Sequence, residues 1–222
     1  MAHPPDDTPS GSSDRYLVMT DGPEVETRVK GSRFVGQALE AHGEDEARAR
    51  LETIRKRYHD ATHHCSAWWI GPPGRTTERS DDDGEPSGTA GAPILHPLRG
   101  SGRHDGMVVV TRWYGGTKLG AGGLVRAYGE CAAEAIAAAG ARTVWITRVF
   151  EVEVSYEDVG AVEAVLARHE RTVRDVERHF EGTPRFVVRA LASGADPVVS
   201  ALVEATGARA HVSHHEGGAD RR

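Results

Sequence analysis

Two stretches of the chain concentrate residues capable of chemistry. The first, SDDDGEPSGTAGAPIL from Ser80 to Leu95, sets three carboxylates ahead of Gly84, Glu85 and Pro86 and runs on through Gly88 and Thr89. Clustered carboxylates repel one another unless a cation, hydrogen-bond donors or water offset the repulsion. Asp82, Asp83 and Glu85 therefore suit a divalent cation or a basic partner. They equally suit a solvated turn in which aspartates accept backbone N–H bonds and Gly84 takes a positive φ. The spacing of a calcium-binding EF-hand is absent, and the whole stretch reads as a loop.

The second stretch, TRWYGGTKLGAGGLVRAYG from Thr111 to Gly129, reads as a strand, a turn and a helix. Its turn holds Tyr114, Gly115, Gly116, Lys118, Gly120, Gly122 and Gly123. Glycines at such a turn let backbone N–H groups converge, and a helix N-terminus adds partial positive charge, so a phosphate or carboxylate is the natural ligand. Arg112, Lys118 and Arg126 would supply the countercharge. The string matches neither GxxxxGK[ST] nor GxGxxG, so no nucleotide fingerprint supports the site. Close helix-to-strand packing is the other explanation for these glycines.

A third cluster, His59, Asp60, His63, His64 and Cys65, is rich in metal-competent side chains. On a strand, His63 and Cys65 share one face and His64 takes the other, so the local count falls short of the four convergent ligands of a structural zinc site. No metal and no cofactor are expected, and His64 stays a candidate site residue. No Ser-His-Asp order or GxSxG elbow appears, so no catalytic residue is assigned.

The elements that must position these stretches follow from periodicity. Two strands flank Gly31 and Ser32 between Glu24 and Glu40, and an amphipathic helix spans Asp45 to Tyr58 with Ala47, Leu51 and Ile54 on one stripe. His63 to Ile70 reads as a strand, Met107 to Thr111 as a central strand, and Leu124 to Ala139 as a packed helix. Beyond it, Phe150, Val152, Val154 and Tyr156 alternate with polar residues and open a βαββαβ order, the ferredoxin-like arrangement. The fold class expected is thus α+β in two domains, 15–145 and 146–215, with disordered tails at 1–14 and 216–222.

With 27 basic against 33 acidic residues the 222-residue chain carries a formal net charge of -6, so no global field draws it to nucleic acid or to an acidic membrane. Any basic site must be local. No basic, apolar leader is present, and no window approaches the ~18 apolar residues of a membrane span, so a cytoplasmic protein with no membrane partner is expected. Cys65 and Cys131 fall in a strand and a helix, which argues against a disulfide framework. No specific DNA site is evident.

Taken together, KGSRF, DATHHCSAW, DDDGEPSGTAGAPIL and RWYGGTKLGAGGLVRAYG resemble the IMPACT/YigZ family in the family's own order, over about residues 24 to 140. The resemblance implies an N-terminal domain similar to domain 2 of ribosomal protein S5, followed by a small C-terminal domain similar to one in elongation factor G. It also implies translation or RNA as the setting. Eukaryotic relatives, which regulate translation by binding an activator of a starvation kinase, carry a separate N-terminal RWD domain that this chain does not show, so that partner does not transfer. Three functions stay open: a non-enzymatic translation factor binding the ribosome or RNA through the Arg112 to Arg126 face, a protein-interaction module using the acidic loop, and an enzyme acting on a small phosphorylated substrate. The two glycine-bearing stretches are expected to lie close together on one face of the N-terminal domain, and the enzyme reading requires it.

Overall fold

A computed structural model describes residues 14–215 and 219–220, and the remainder of the expected tails lies outside the described residues. The chain divides into two compact units, one of Tyr16–Thr143 and one built from Val144 onward with the residues up to Arg15.

The first unit runs β1 (Arg15–Met19), β2 (Val25–Val29), β3 (Ser32–Glu40), α1 (Glu44–Arg57), β4 (His63–Ile70), β5 (Thr77–Asp81), α2 (Gly91–Gly100), β6 (Arg103–His104), β7 (Gly106–Trp113) and α3 (Ala121–Ala138). Five strands form an antiparallel sheet in the order β2-β3-β7-β4-β5, while β1 pairs in parallel with β6. The β-branched run of β7 lies at the centre and is buried from Gly106 to Arg112, as a strand covered on both faces must be. Helices α2 and α3 pack on one face through Ile94, Leu98, Tyr128, Cys131 and Ala135, against Phe34, Ala38, Cys65 and Val110. On the other face α1 sets Ala47, Leu51 and Ile54 against Leu39, Trp68 and Val109. Lys30 and Gly31, both at positive φ (45° and 84°), make the two-residue hairpin turn between β2 and β3.

The acidic stretch is not a continuous loop. Ser80 and Asp81 belong to β5, and α2 begins at Gly91. Strand β5, TERSD, is exposed at every position, so it shows none of the alternation that marks a half-buried strand. Helix α2 carries Pro93 near its start and Pro97 inside, which disguises it as a breaker-rich segment.

The second unit comprises β8 (Ala141–Glu153), α4 (Val159–Arg168), β9 (Val173–His179), β10 (Arg185–Leu191), α5 (Ala195–Ala205), β11 (His211–His215) and β12 (Ala219–Asp220). Its strands pair antiparallel in the order β11-β8-β10-β9, which is the ferredoxin-like connectivity. Helices α4 and α5 bury Val162, Val165, Val198 and Leu202 against Phe150, Val152, Phe186 and Val188. Strand β12 pairs with β8 at Ile146 and Trp145, so the expected tail 216–222 is interrupted by a paired segment. Asp14, also placed in a tail by its composition, accepts a hydrogen bond from Ser193 N–H at 2.8 Å. No helix of the described residues is long and apolar enough to cross a membrane.

Candidate functional site

The sheet register brings the chemistry together. Arg112 sits opposite His63 on one neighbouring strand and opposite Phe34 on the other, so all three project from the α2/α3 face at one end of the sheet. The loops that follow β5 and β7 meet at that end.

Arg112 is buried, at 4% exposure, and lines the cleft that opens between the two loops. Its Nη1 donates to Glu85 Oε1 at 2.5 Å and its Nη2 to Ser32 Oγ at 3.2 Å, while the guanidinium lies 5.4 Å from the Phe34 ring centre and 5.5 Å from that of Tyr114. Tyr128 donates its hydroxyl to the same Glu85 oxygen at 2.7 Å. Burial first, and then the neighbouring Cys65 and Glu85, raise the Tyr128 phenol far above its ordinary range. Arg112 therefore fixes the acidic turn to the sheet, as the countercharge a buried carboxylate requires.

Asp82 and Asp83 are also committed internally. The Asp82 carboxylate accepts N–H bonds from Gly88 at 2.7 Å, Ala90 at 2.9 Å and Gly91 at 2.7 Å, and so caps the start of α2. Partial burial works against its charge, but the three donors outweigh it and hold the carboxyl below its usual value. Asp83, at φ 44°, accepts the His64 N–H at 2.6 Å and Arg55 Nη2 at 2.8 Å. Gly84 (φ 85°) and Gly88 (φ 77°) shape the turn, and Thr89 closes it by donating Oγ1–H to the Pro86 carbonyl at 2.6 Å. His64 turns away from this face, its Nε2 3.1 Å from the Tyr58 carbonyl, and burial lowers its pKa. No group of three or more His, Cys, Asp or Glu among the described residues is arranged to hold a metal. Cys65 and Cys131 are free and buried, and burial pushes the Cys131 thiol up to about 11.

The glycines of the second stretch serve different ends. Gly115 is required by packing, since a Cβ there would come within 2.0 Å of the Gly31 backbone. Gly116 (φ 83°) and Gly120 (φ 71°) are required by conformation. Gly122 and Gly123 lie in the first turn of α3 with no positive φ. At Gly123 an added Cβ would press on the Leu119 side chain at 3.1 Å; at Gly122 it would meet only Arg126 Nη1, at 4.0 Å.

Between the two loops opens a cleft of about 510 Å³, lined among others by His63, Glu85, Tyr114, Lys118, Gly120 and Ala121. Both glycine-bearing stretches thus contribute to one cavity. The first turn of α3 has no acidic residue and no side-chain cap, so its N-terminal N–H groups are unspent. Lys118 and Arg126 are exposed; Lys118 lines the cleft and Arg126 lies one turn into α3. His63 is the wall residue that the sequence weighs only as part of an incomplete metal cluster; its parity with Cys65 already places it on the α3 face.

The ferredoxin-like unit is differently equipped. The register places Glu151, Glu153, Asp175, Glu177, Arg185 and Arg189 on the sheet face away from α4 and α5. The same face carries the rings of His179 and His211, and Trp145 shares the parity of Glu151 and Glu153 along β8.

Fold and site together define a class: two-unit α+β proteins with a donor-lined cleft at one end of a covered antiparallel sheet. Residues 30–136 match the Impact N-terminal domain. The chain is 39% identical over 185 residues to the IMPACT family member in the pol 5' region of Thermus thermophilus, covering 82% of this chain and 97% of that one. It is 36% identical over 154 residues to IMPACT family member YigZ of Escherichia coli K12, covering 69% and 76%. A crystal structure described as that of a hypothetical protein superposes with a TM-score of 0.64 at 29% identity, over 91% of this chain and 98% of the other. The chain belongs to the IMPACT family.

Proposed function

We propose that this chain is a cytoplasmic, non-enzymatic factor of translation that holds a phosphate group of RNA in the cleft at the start of α3. The observation that carries this reading is the uncapped first turn of α3, free of acidic residues, opening beside Lys118 into a cavity rimmed by the Tyr114 ring. Backbone N–H groups at a helix N-terminus favour an anion, and an adjacent aromatic ring favours a base. Family membership supports the setting in translation. The acidic loop offers little to a basic partner or a cation, because Asp82 and Asp83 already spend their oxygens on backbone and arginine donors.

The test is titration of fluorescein-labelled single-stranded RNA against the wild type and Gly122→Glu. Gly122 has room for a side chain, and a carboxylate in the first turn favours the helix while occupying the place of an anionic ligand. The expected result is salt-dependent binding by the wild type, weakened roughly tenfold in a variant whose melting temperature is not lowered. A wild type that does not bind RNA, or a folded variant that binds equally well, overturns the reading.

A further inference from the structure

We infer that the cleft recognises the ribose of its ligand through hydroxyl donors, so that it distinguishes RNA from DNA; this rests on the phosphate reading above.

The inference begins with a tautomer. His63 Nδ1 lies 2.7 Å from the Asp83 carbonyl oxygen, and a carbonyl only accepts, so Nδ1 carries the hydrogen, and in the neutral tautomer Nε2 is then the acceptor. Nε2 stands 3.9 Å from Glu85 Oε1. The Glu85 side chain is 4% exposed, and its two protein donors, Arg112 and Tyr128, both fall on Oε1. One wall of the cleft therefore sets the imidazole Nε2 beside a carboxylate whose charge Arg112, on the same wall, compensates, which leaves the two groups as hydrogen-bond acceptors.

The other wall is of opposite character. It holds Lys118 and the start of α3 at Gly120 and Ala121, both rich in N–H donors. A bare phosphate satisfies that wall but brings no hydrogen to the acceptors opposite. The complementary ligand carries an anion at one end and hydroxyl donors within a few ångströms of it, which is the chemistry of a ribose phosphate. The 2′-hydroxyl is the donor that deoxyribose lacks. The Tyr114 ring, 46% exposed at the cleft, is placed to stack the attached base.

A site that spends buried acceptors on a ligand hydroxyl penalises the analogue without it, because the acceptors are then desolvated and unpaired. Competition titrations with an RNA oligonucleotide, the DNA of the same sequence, and a free ribonucleoside monophosphate with its 2′-deoxy counterpart test this. The expected result is a preference for the ribose form of at least about tenfold in both pairs. In His63→Ala, RNA affinity should fall to the DNA level while DNA affinity holds, and His63→Gln, which keeps an acceptor, should recover part of the preference. Equal binding of ribose and deoxyribose forms by the wild type overturns the ribose inference and leaves the phosphate reading standing. Absence of binding to all four probes overturns both. A full ribose preference in folded His63→Ala overturns the role given to His63.

Discussion

Arg112 Nη1 and Glu85 Oε1 lie 2.5 Å apart with side chains 5% and 4% exposed, joining the end of β7 to the acidic turn across the wall of the cleft. The pair is a structural clasp as well as part of the site. Removing one partner leaves the other charge buried and uncompensated, which costs about 3–5 kcal/mol. Arg112→Leu is therefore expected to lose that much in urea unfolding. The double variant Arg112→Leu with Glu85→Gln should lose clearly less than the sum of the two single losses, because no bare charge remains; additive losses would show that the two side chains act independently.

Gly120 and Gly122 are two residues apart and should respond oppositely to alanine. Gly120 has φ 71° and ψ 164°, a region open in practice to glycine alone, so Gly120→Ala should cost about 1–3 kcal/mol. Gly122 is helical with open space around it, so Gly122→Ala should gain about 0.5–1 kcal/mol from helix propensity. Thermal melts of the two variants check both signs at once.

That contrast marks the limit of what the sequence discloses. Element positions were largely legible, because Ala47, Leu51 and Ile54 keep helical spacing and the strand from His63 to Ile70 is bounded by polar turns. The βαββαβ order of the second unit followed from the same periodicity. What escaped was the direction and conformation of individual groups. Five glycines between residues 115 and 123 look alike in composition, yet one is fixed by backbone contact, two by φ, and two sit inside a helix turn. Arg112 ends a strand, and whether it meets solvent or Glu85 depends on a partner 27 positions away that only the register of the sheet brings near. Helix α2 was hidden because its cap, Asp82, is eight and nine residues ahead of the N–H groups of Ala90 and Gly91, well outside a local capping pattern.

Asp82 gives a pH-dependent prediction. Its folded pKa is depressed, since three backbone N–H donors outweigh the effect of burial, so it contributes stability that is complete above the unfolded carboxyl value of about 3.9 and is lost as the pH falls through the folded value. At pH 7, Asp82→Ala should be less stable than the wild type by about 0.5–2 kcal/mol, the range measured for loss of helix caps. The gap should narrow as the pH is taken below about 4. Melting temperatures of both proteins from pH 7 to pH 3 supply the check, and a gap that stays constant would mean that the charge of Asp82 does not cap α2.

The remaining prediction separates the cations of the glycine turn by their access to a ligand. Arg112 lines the same cleft but is buried and its charge is already compensated by Glu85, whereas Lys118 and Arg126 are exposed, Lys118 at the cleft and Arg126 one turn into α3. Binding of single-stranded RNA releases counterions for each phosphate neutralised, and each contact removed should reduce the slope of log affinity against log salt by about 0.7. Lys118→Gln alone is expected to lower the slope by that amount, and the double variant with Arg126→Gln by about twice as much. Neither change removes a buried partner, so both proteins should melt with the wild type. Arg112→Gln should do the reverse, lowering the melting temperature while the folded fraction keeps the wild-type slope. Titrations at several salt concentrations beside melting curves distinguish these outcomes. A folded double variant with an unaltered slope would place the RNA phosphates elsewhere on the molecule, since a cleft that binds phosphate through Lys118 cannot lose that charge without releasing fewer ions.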